Sequence, residues 1–164
     1  MRACVVFDTR YGNTEKIARS LAAGISEAGV ETECLNSRDV RLESLKEYDL
    51  VCVGAPTEAF SASKPIKDFL ARLASAGLAG KWAFAFDTKL DSRISGSAAK
   101  FIEKELKRLG LRMLAPRESA IVFSPLAKDR ASVTKLKEGE EKRFQAVGKT
   151  VGTALLASAR PVAA

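Results

Sequence analysis

Asp8-Thr9-Arg10-Tyr11-Gly12-Asn13-Thr14 is the stretch on which the fold turns. Before it, Ala3-Cys4-Val5-Val6-Phe7 is a short apolar run with β-branched valines, which predicts a buried strand. After it, Ile17, Leu21 and Ile25 recur at i, i+4 and i+8, which predicts a helix over 13–28 with Gly29 as its C-cap. Gly12 and Asn13 tolerate left-handed backbone, and the hydroxyls of Thr9 and Thr14 flank them. A helix start also presents unpaired N–H groups and the positive end of a dipole. Two readings stand: a cradle for a phosphate group, or a plain helix cap supplied by Asn13 or Thr14.

The strand–turn–helix unit repeats along the chain. Residues 30–35 alternate as a half-buried strand does, and a short helix is expected around 42–47. A second apolar strand spans 50–53 and ends at Gly54. Residues 64–76 read as a helix with Ile66, Phe69, Leu70 and Leu73 on one face and Pro65 in the first turn. Residues 82–86 form a further buried strand ending at Asp87, and 97–109 a helix closed by Gly110. The segment 111–123 carries the fifth strand, placed at its 119–123 end, and 140–157 the last helix. The tail 158–164 is expected to fray.

Strands separated by helices of this length imply βαβ units and a parallel sheet covered on both faces. The expected fold is α/β: one domain over 1–164, three layers, a doubly wound five-stranded parallel sheet with five helices; right-handed crossovers leave few strand orders, and 2-1-3-4-5 is the one expected. Ligands of such sheets sit beyond the carboxyl ends of the strands.

Composition narrows the chemistry. With 46% hydrophobic and 29% charged residues over 164 positions, the balance is that of an ordinary soluble domain. No apolar run suggests a membrane span or a secretory signal, so the expectation is a cytoplasmic protein. Cys4, Cys34 and Cys52 each lie in or beside a valine- or leucine-rich run, and they are expected to be buried, reduced thiols. There is no histidine, which removes Ser-His-Asp and Cys-His nucleophiles and argues against a zinc site. The net charge of +7 biases partners toward acidic proteins, nucleic acids or anionic surfaces. Much of it falls on amphipathic helices such as 100–112, where a solvated outer face explains it. No basic stripe interleaved with aromatics supports nucleic-acid binding.

Several known site types do not match. Cys4 and Arg10 have the C-x5-R spacing of cysteine phosphatases, but Cys4 lies inside the strand rather than at the mouth of a phosphate loop. A receiver domain needs an acceptor aspartate at the end of the third strand, where this chain has Val53-Gly54-Ala55-Pro56. Neither G-x4-G-K-[ST] nor G-x-G-x-x-G occurs.

The run Thr9-Arg10-Tyr11-Gly12-Asn13-Thr14 resembles the phosphate loop of the flavodoxin family, roughly [ST]-x-T-G-x-T after the first strand. The resemblance extends over nearly the whole chain and implies FMN as cofactor. Tyr11 stands where the family has threonine, a variant similar to that of flavodoxin-fold quinone reductases; its phenol either substitutes for the hydroxyl or covers the loop. Arg10 either reaches the phosphate or points to solvent.

By the same resemblance, the segment 54–61 lies against the isoalloxazine ring. Thr57 and the backbone after Pro56 would bond the ring edge or ribityl chain, with Glu58 beside them. Phe60 either stacks on the flavin or caps the loop. The segment 87–92 takes the other side, with the backbone of Asp87, Thr88 and Lys89 at the pyrimidine edge. Lys89 either stabilises negative charge on reduced flavin or stays in solvent. Many flavodoxins place a tyrosine here to stack on the ring. This segment has none, a departure that bears on how tightly the ring is held and how low its potential is set.

The resemblance implies an FMN electron carrier serving redox partner proteins, and the basic charge suggests acidic ones of ferredoxin type. Two alternatives remain: an NAD(P)H-dependent FMN quinone reductase, and a flavodoxin-like interaction module without flavin.

Overall fold

A computed structural model describes residues 1–124 and 133–159. Five strands form the body of one sheet: β1 (Arg2–Phe7), β2 (Glu31–Asn36), β3 (Leu50–Glu58), β5 (Trp82–Leu90) and β7 (Glu118–Phe123). They run parallel in the order β2-β1-β3-β5-β7, which is the expected 2-1-3-4-5 order. Among the described residues, four α-helices cover the sheet: α1 (Asn13–Glu27), α2 (Lys64–Leu73), α3 (Ala98–Arg108) and α4 (Glu140–Ser158). The fifth expected helix is a 3-10 turn over Leu42–Glu47.

Three two-residue strands were not anticipated. β4 (Ser61–Ala62) folds back antiparallel on the end of β3, and β8 (Lys135–Leu136) pairs antiparallel with β7. β6 (Arg112–Met113) pairs with the start of β5, so the fifth strand position is split in two around Pro116. Proline supplies no ladder N–H, which suits a break there. Of the tail, Ser158 is still helical, and 160–164 lie outside the described residues.

Two boundaries need correction. β3 does not end at Gly54, nor β5 at Asp87; both continue, paired in register through Pro56 and Thr88. Apolarity stops at Gly54, but the backbone pairing does not. Each extended strand satisfies the other's N–H and C=O groups, whatever the side chains.

Strand residues alternate between two cores. Cys4, Val6, Val51 and Val53 face α2 and α3, while Ala3, Val5, Phe7 and Cys52 face α1 and α4. Cys4 and Cys52 are buried as expected, but Cys34 on edge strand β2 is only half-buried. Burial pushes the thiols up, Cys4 to about 12 and Cys34 to about 11, so neither is a nucleophile at neutral pH.

α4 is tied to β7 by Glu140. Its carboxylate accepts from the Ile121 N–H at 2.8 Å and from Arg143 at 3.0 Å. Burial acts to raise this carboxyl. The hydrogen bonds from Arg143 and Ile121 outweigh it, and the group titrates below the ordinary range. Its stabilisation is therefore complete above the unfolded pKa of about 4.3 and lost as pH falls through the folded value. Glu140→Gln is expected to cost about 1.5 kcal/mol at pH 7, with the gap to the parent closing at a pH below the folded value. Urea unfolding at both pH values checks it.

Candidate functional site

The stretch 9–14 forms a tight loop leading into α1. Thr9 Oγ1 accepts from the Gly12 N–H at 3.0 Å, and Gly12 is the helix N-cap at φ 87°, the left-handed conformation its sequence suggested. Among the described residues, no side chain caps the helix. The N–H groups of its first turn therefore keep their capacity for an anion. Asn13 does not cap either. Its side-chain amide donates to the Thr134 carbonyl at 2.7 Å and to Thr134 Oγ1 at 3.0 Å, pinning the β8 segment to the loop. Thr14 Oγ1 shares a buried 2.8 Å hydrogen bond with Thr88 Oγ1, joining the first loop to β5. Thr9, Asn13, Thr14 and Thr88 enclose a nook of about 20 Å³.

Beside the nook opens a cavity of about 310 Å³. Arg10, Tyr11, Pro56, Thr57, Glu58, Thr88 and Lys89 line it, so seven of the sequence-predicted residues from three separate segments meet there. Ala59 and Leu90, from two of the same expected segments, also line it, and two wall residues, Val122 and Thr134, come from outside the expected segments. Val122 could have been found, since it ends the last parallel strand and ligands of this architecture sit at strand ends. Thr134 carried no signal, because its place depends on the pairing of β8 with β7.

Arg10 spans the mouth. Its guanidinium lies 3.7 Å from Glu58 and 5.3 Å from the Tyr11 ring centroid, both exposed contacts worth little to stability. Tyr11 is itself half-exposed and lines both the cavity and the nook.

Apart from Gly12, which serves as the helix N-cap, two predicted residues line neither the cavity nor the nook. Phe60 is 72% exposed at the tip of the β3–β4 hairpin. Ala59 and Phe60 both hold left-handed backbone, at φ 44° and 68°, where glycine is the usual occupant. Asp87 is fully buried on the opposite face of β5, its carboxylate turned to the start of α3.

The donor set suits a flavin phosphate and ring. The uncapped helix start and the Thr9 and Thr14 hydroxyls suit the phosphate, and a slot walled by Pro56, Leu90 and Val122 suits a flat apolar ring.

Among the described residues, no helix is long and apolar enough to cross a membrane, and no cluster of carboxylate, cysteine or histidine side chains is placed to hold a metal ion.

Comparisons with known proteins agree with this geometry. A family model described as Flavodoxin matches residues 5–146. A putative diflavin flavoprotein A 4 of Synechocystis is 30% identical over 116 residues, 68% of this chain and 19% of that protein. An uncharacterized protein of Methanocaldococcus jannaschii is 27% identical over 128 residues, 76% of this chain and 32% of that one. The chain thus spans about a fifth to a third of the curated relatives it matches. Among solved structures, an archaeal flavodoxin superposes with TM-score 0.78 at 22% identity, over 95% of this chain and 99% of that one. The rubredoxin oxygen:oxidoreductase of Desulfovibrio gigas gives 0.75 at 19% identity, over 95% and 36%. The chain belongs to the flavodoxin family, FMN-binding α/β domains that transfer electrons.

Proposed function

We propose that the 310 Å³ cavity holds FMN and that the domain carries electrons between protein partners. The observation that carries this reading is convergence. Segments 9–14, 54–61 and 87–92, far apart in sequence, meet at one hollow with the uncapped start of α1 at one end. FMN, when bound, supplies the electron chemistry. The chain's residues bind and orient it. Thr9, Thr14 and the first-turn N–H groups of α1 take the phosphate, Pro56 and Leu90 wall the ring, and Lys89 lies at its edge. Tyr11 and Arg10 cover the phosphate end from solvent. A cytoplasmic setting accords with three unpaired cysteines.

Titrating FMN into the apo-protein tests the site. One-to-one binding at micromolar affinity or tighter is expected, weakened about tenfold by Thr14→Ala, which removes a hydroxyl at the phosphate and its bond to Thr88. A folded protein that binds no FMN would leave the interaction-module reading. Steady NAD(P)H consumption with a quinone would replace the carrier by a reductase.

The partner is proposed to be an acidic redox protein of ferredoxin type. Large apolar side chains stand exposed on the segments that adjoin the cavity wall: Tyr11 near half, Phe123 after Val122 near half, Phe60 after Ala59 at 72%, and Ile94 at 81% in the 91–97 loop that bridges to Phe60. Lys16, Lys135 and Lys137 line an adjoining hollow with Glu138 and Glu141, and among the described residues none of the three lysines has an ion-pair partner. Apolar anchors beside lysines without ion-pair partners suit an acidic surface. Phe60→Ala and Ile94→Ala are each expected to slow electron transfer to such a partner about tenfold while FMN affinity holds. The rate should also fall as salt rises. Salt-independent transfer would count against the acidic partner.

A further inference from the structure

We infer that Asp87 is the positioning residue of the flavin site, a buried brace whose carboxylate holds both ring-facing strand ends against α3. The inference rests on FMN occupying the cavity. Asp87 Oδ2 accepts from Ser97 Oγ at 2.7 Å, from the Ala99 N–H at 2.9 Å and from Thr57 Oγ1 at 3.2 Å. Thr57 Oγ1 in turn accepts from the Ala98 N–H at 3.0 Å. Ser97, the N-cap of α3, also accepts from the Lys100 N–H at 3.2 Å. One oxygen therefore ties the end of β3, the end of β5 and the first turn of α3 together.

The arrangement reassigns Thr57. Its hydroxyl proton is committed to Asp87, so its side chain braces the wall and leaves only the backbone to donate toward a ligand. Asp87 does not touch the cavity, but its neighbour Thr88 and its partner Thr57 both line it. Among the described residues, no cation pairs with Asp87, and its second oxygen, Oδ1, is buried without a hydrogen-bond partner. The negative charge one residue behind the wall is countered only by hydrogen bonds and the N-terminus of α3. Reduced flavin carries more negative charge than oxidised flavin at neutral pH, so this carboxylate disfavours the reduced form.

Two substitutions separate brace from charge. Asp87→Asn can keep the accepting oxygen at Oδ2 and put its amide at the partnerless Oδ1 position, removing the charge while preserving the acceptor. Asp87→Ala removes both. The experiment measures dissociation constants for oxidised and dithionite-reduced FMN in wild type and both variants. It also follows amide exchange at Ala99 in the flavin-free proteins. Asp87→Ala is expected to weaken oxidised FMN at least tenfold and to speed Ala99 exchange at least tenfold. Combining it with Thr57→Val should add little further loss. Asp87→Asn is expected to keep oxidised-FMN affinity within threefold and slow Ala99 exchange, yet shift the reduced-to-oxidised ratio at least threefold toward tighter reduced binding. An unchanged ratio in Asp87→Asn, or wild-type affinity in Asp87→Ala, overturns the inference. Should the wild type bind no FMN, the site reading fails by itself, and Ala99 exchange still decides whether Asp87 is the brace.

Discussion

Gly148→Ala is expected to destabilise the protein by about 3 kcal/mol, against what helix propensity alone dictates. In an isolated helix alanine is better than glycine by about 1 kcal/mol. Here Gly148 faces α1, and a Cβ would lie 2.1 Å from the Leu21 carbonyl oxygen. The same seam contains Gly24, where a Cβ would lie 1.9 Å from the Gln145 carbonyl oxygen, and Gly152, where it would meet Ala28 Cβ at 2.7 Å. The neighbours at Gly24 and Gly148 are backbone, so no rotamer change makes room and α1 must move from α4. Both helices cover one core, with Ile17, Leu21, Phe144 and Val151 beneath them, and separation would open it. Thermal unfolding should show a loss of about 6–12 °C, and Gly24→Ala with Gly148→Ala should not fold at 37 °C. An unchanged melting temperature for Gly148→Ala would mean that the helices do not meet at these glycines.

Gly96→Ala is expected to weaken FMN binding about tenfold, with a stability loss of only about 1–2 kcal/mol. Gly96 bridges to Phe60 and holds the 91–97 loop against the hairpin tip. Its φ is +73°, and a Cβ would lie 2.4 Å from the Phe60 carbonyl oxygen and 2.5 Å from Phe60 Cα. The loop must lift, which releases a hairpin turn whose two residues are themselves in left-handed backbone. Ala59 lines the cavity, so loosening the turn loosens the ring's wall. Gly29→Ala is the control. It carries the same kind of strain at φ +96°, meets nothing within 4 Å, and lies away from the site. It should lower stability and leave FMN affinity as it was. Equal FMN loss in both variants would trace the effect to general destabilisation rather than to the bridge.

Much of the site was legible because its signals are local. Gly12 had to be left-handed for the chain to turn from β1 into α1, and residues 9–14 carry the hydroxyls and the helix start within six positions. The second and third segments were found by their place after apolar strands. Their conformation was not, because the extension of β3 and β5 is a property of the pair. Phe60 reads as a stacking candidate from its residue type, yet its backbone at the hairpin tip turns it to solvent. Asp87 reads as a loop residue, yet the two-residue alternation of an extended β5 sends its carboxylate to α3 while Thr88 faces Thr14.

The sequence by itself determined the order of elements and the parallel sheet, narrowed the strand order to a few with 2-1-3-4-5 among them, and marked the three strand ends that would meet. Hydrophobic period, chain polarity and right-handed crossovers are short-range properties that any folded form must respect. Tertiary structure alone decided what those strand ends face: the β8 segment that delivers Thr134, the glycine seam of α1 and α4, and the bonds that turn Thr57 and Asp87 into a brace. Each depends on backbone from distant parts of the chain arriving within hydrogen-bond or van der Waals reach. Such contacts leave no periodic trace in the residues that make them.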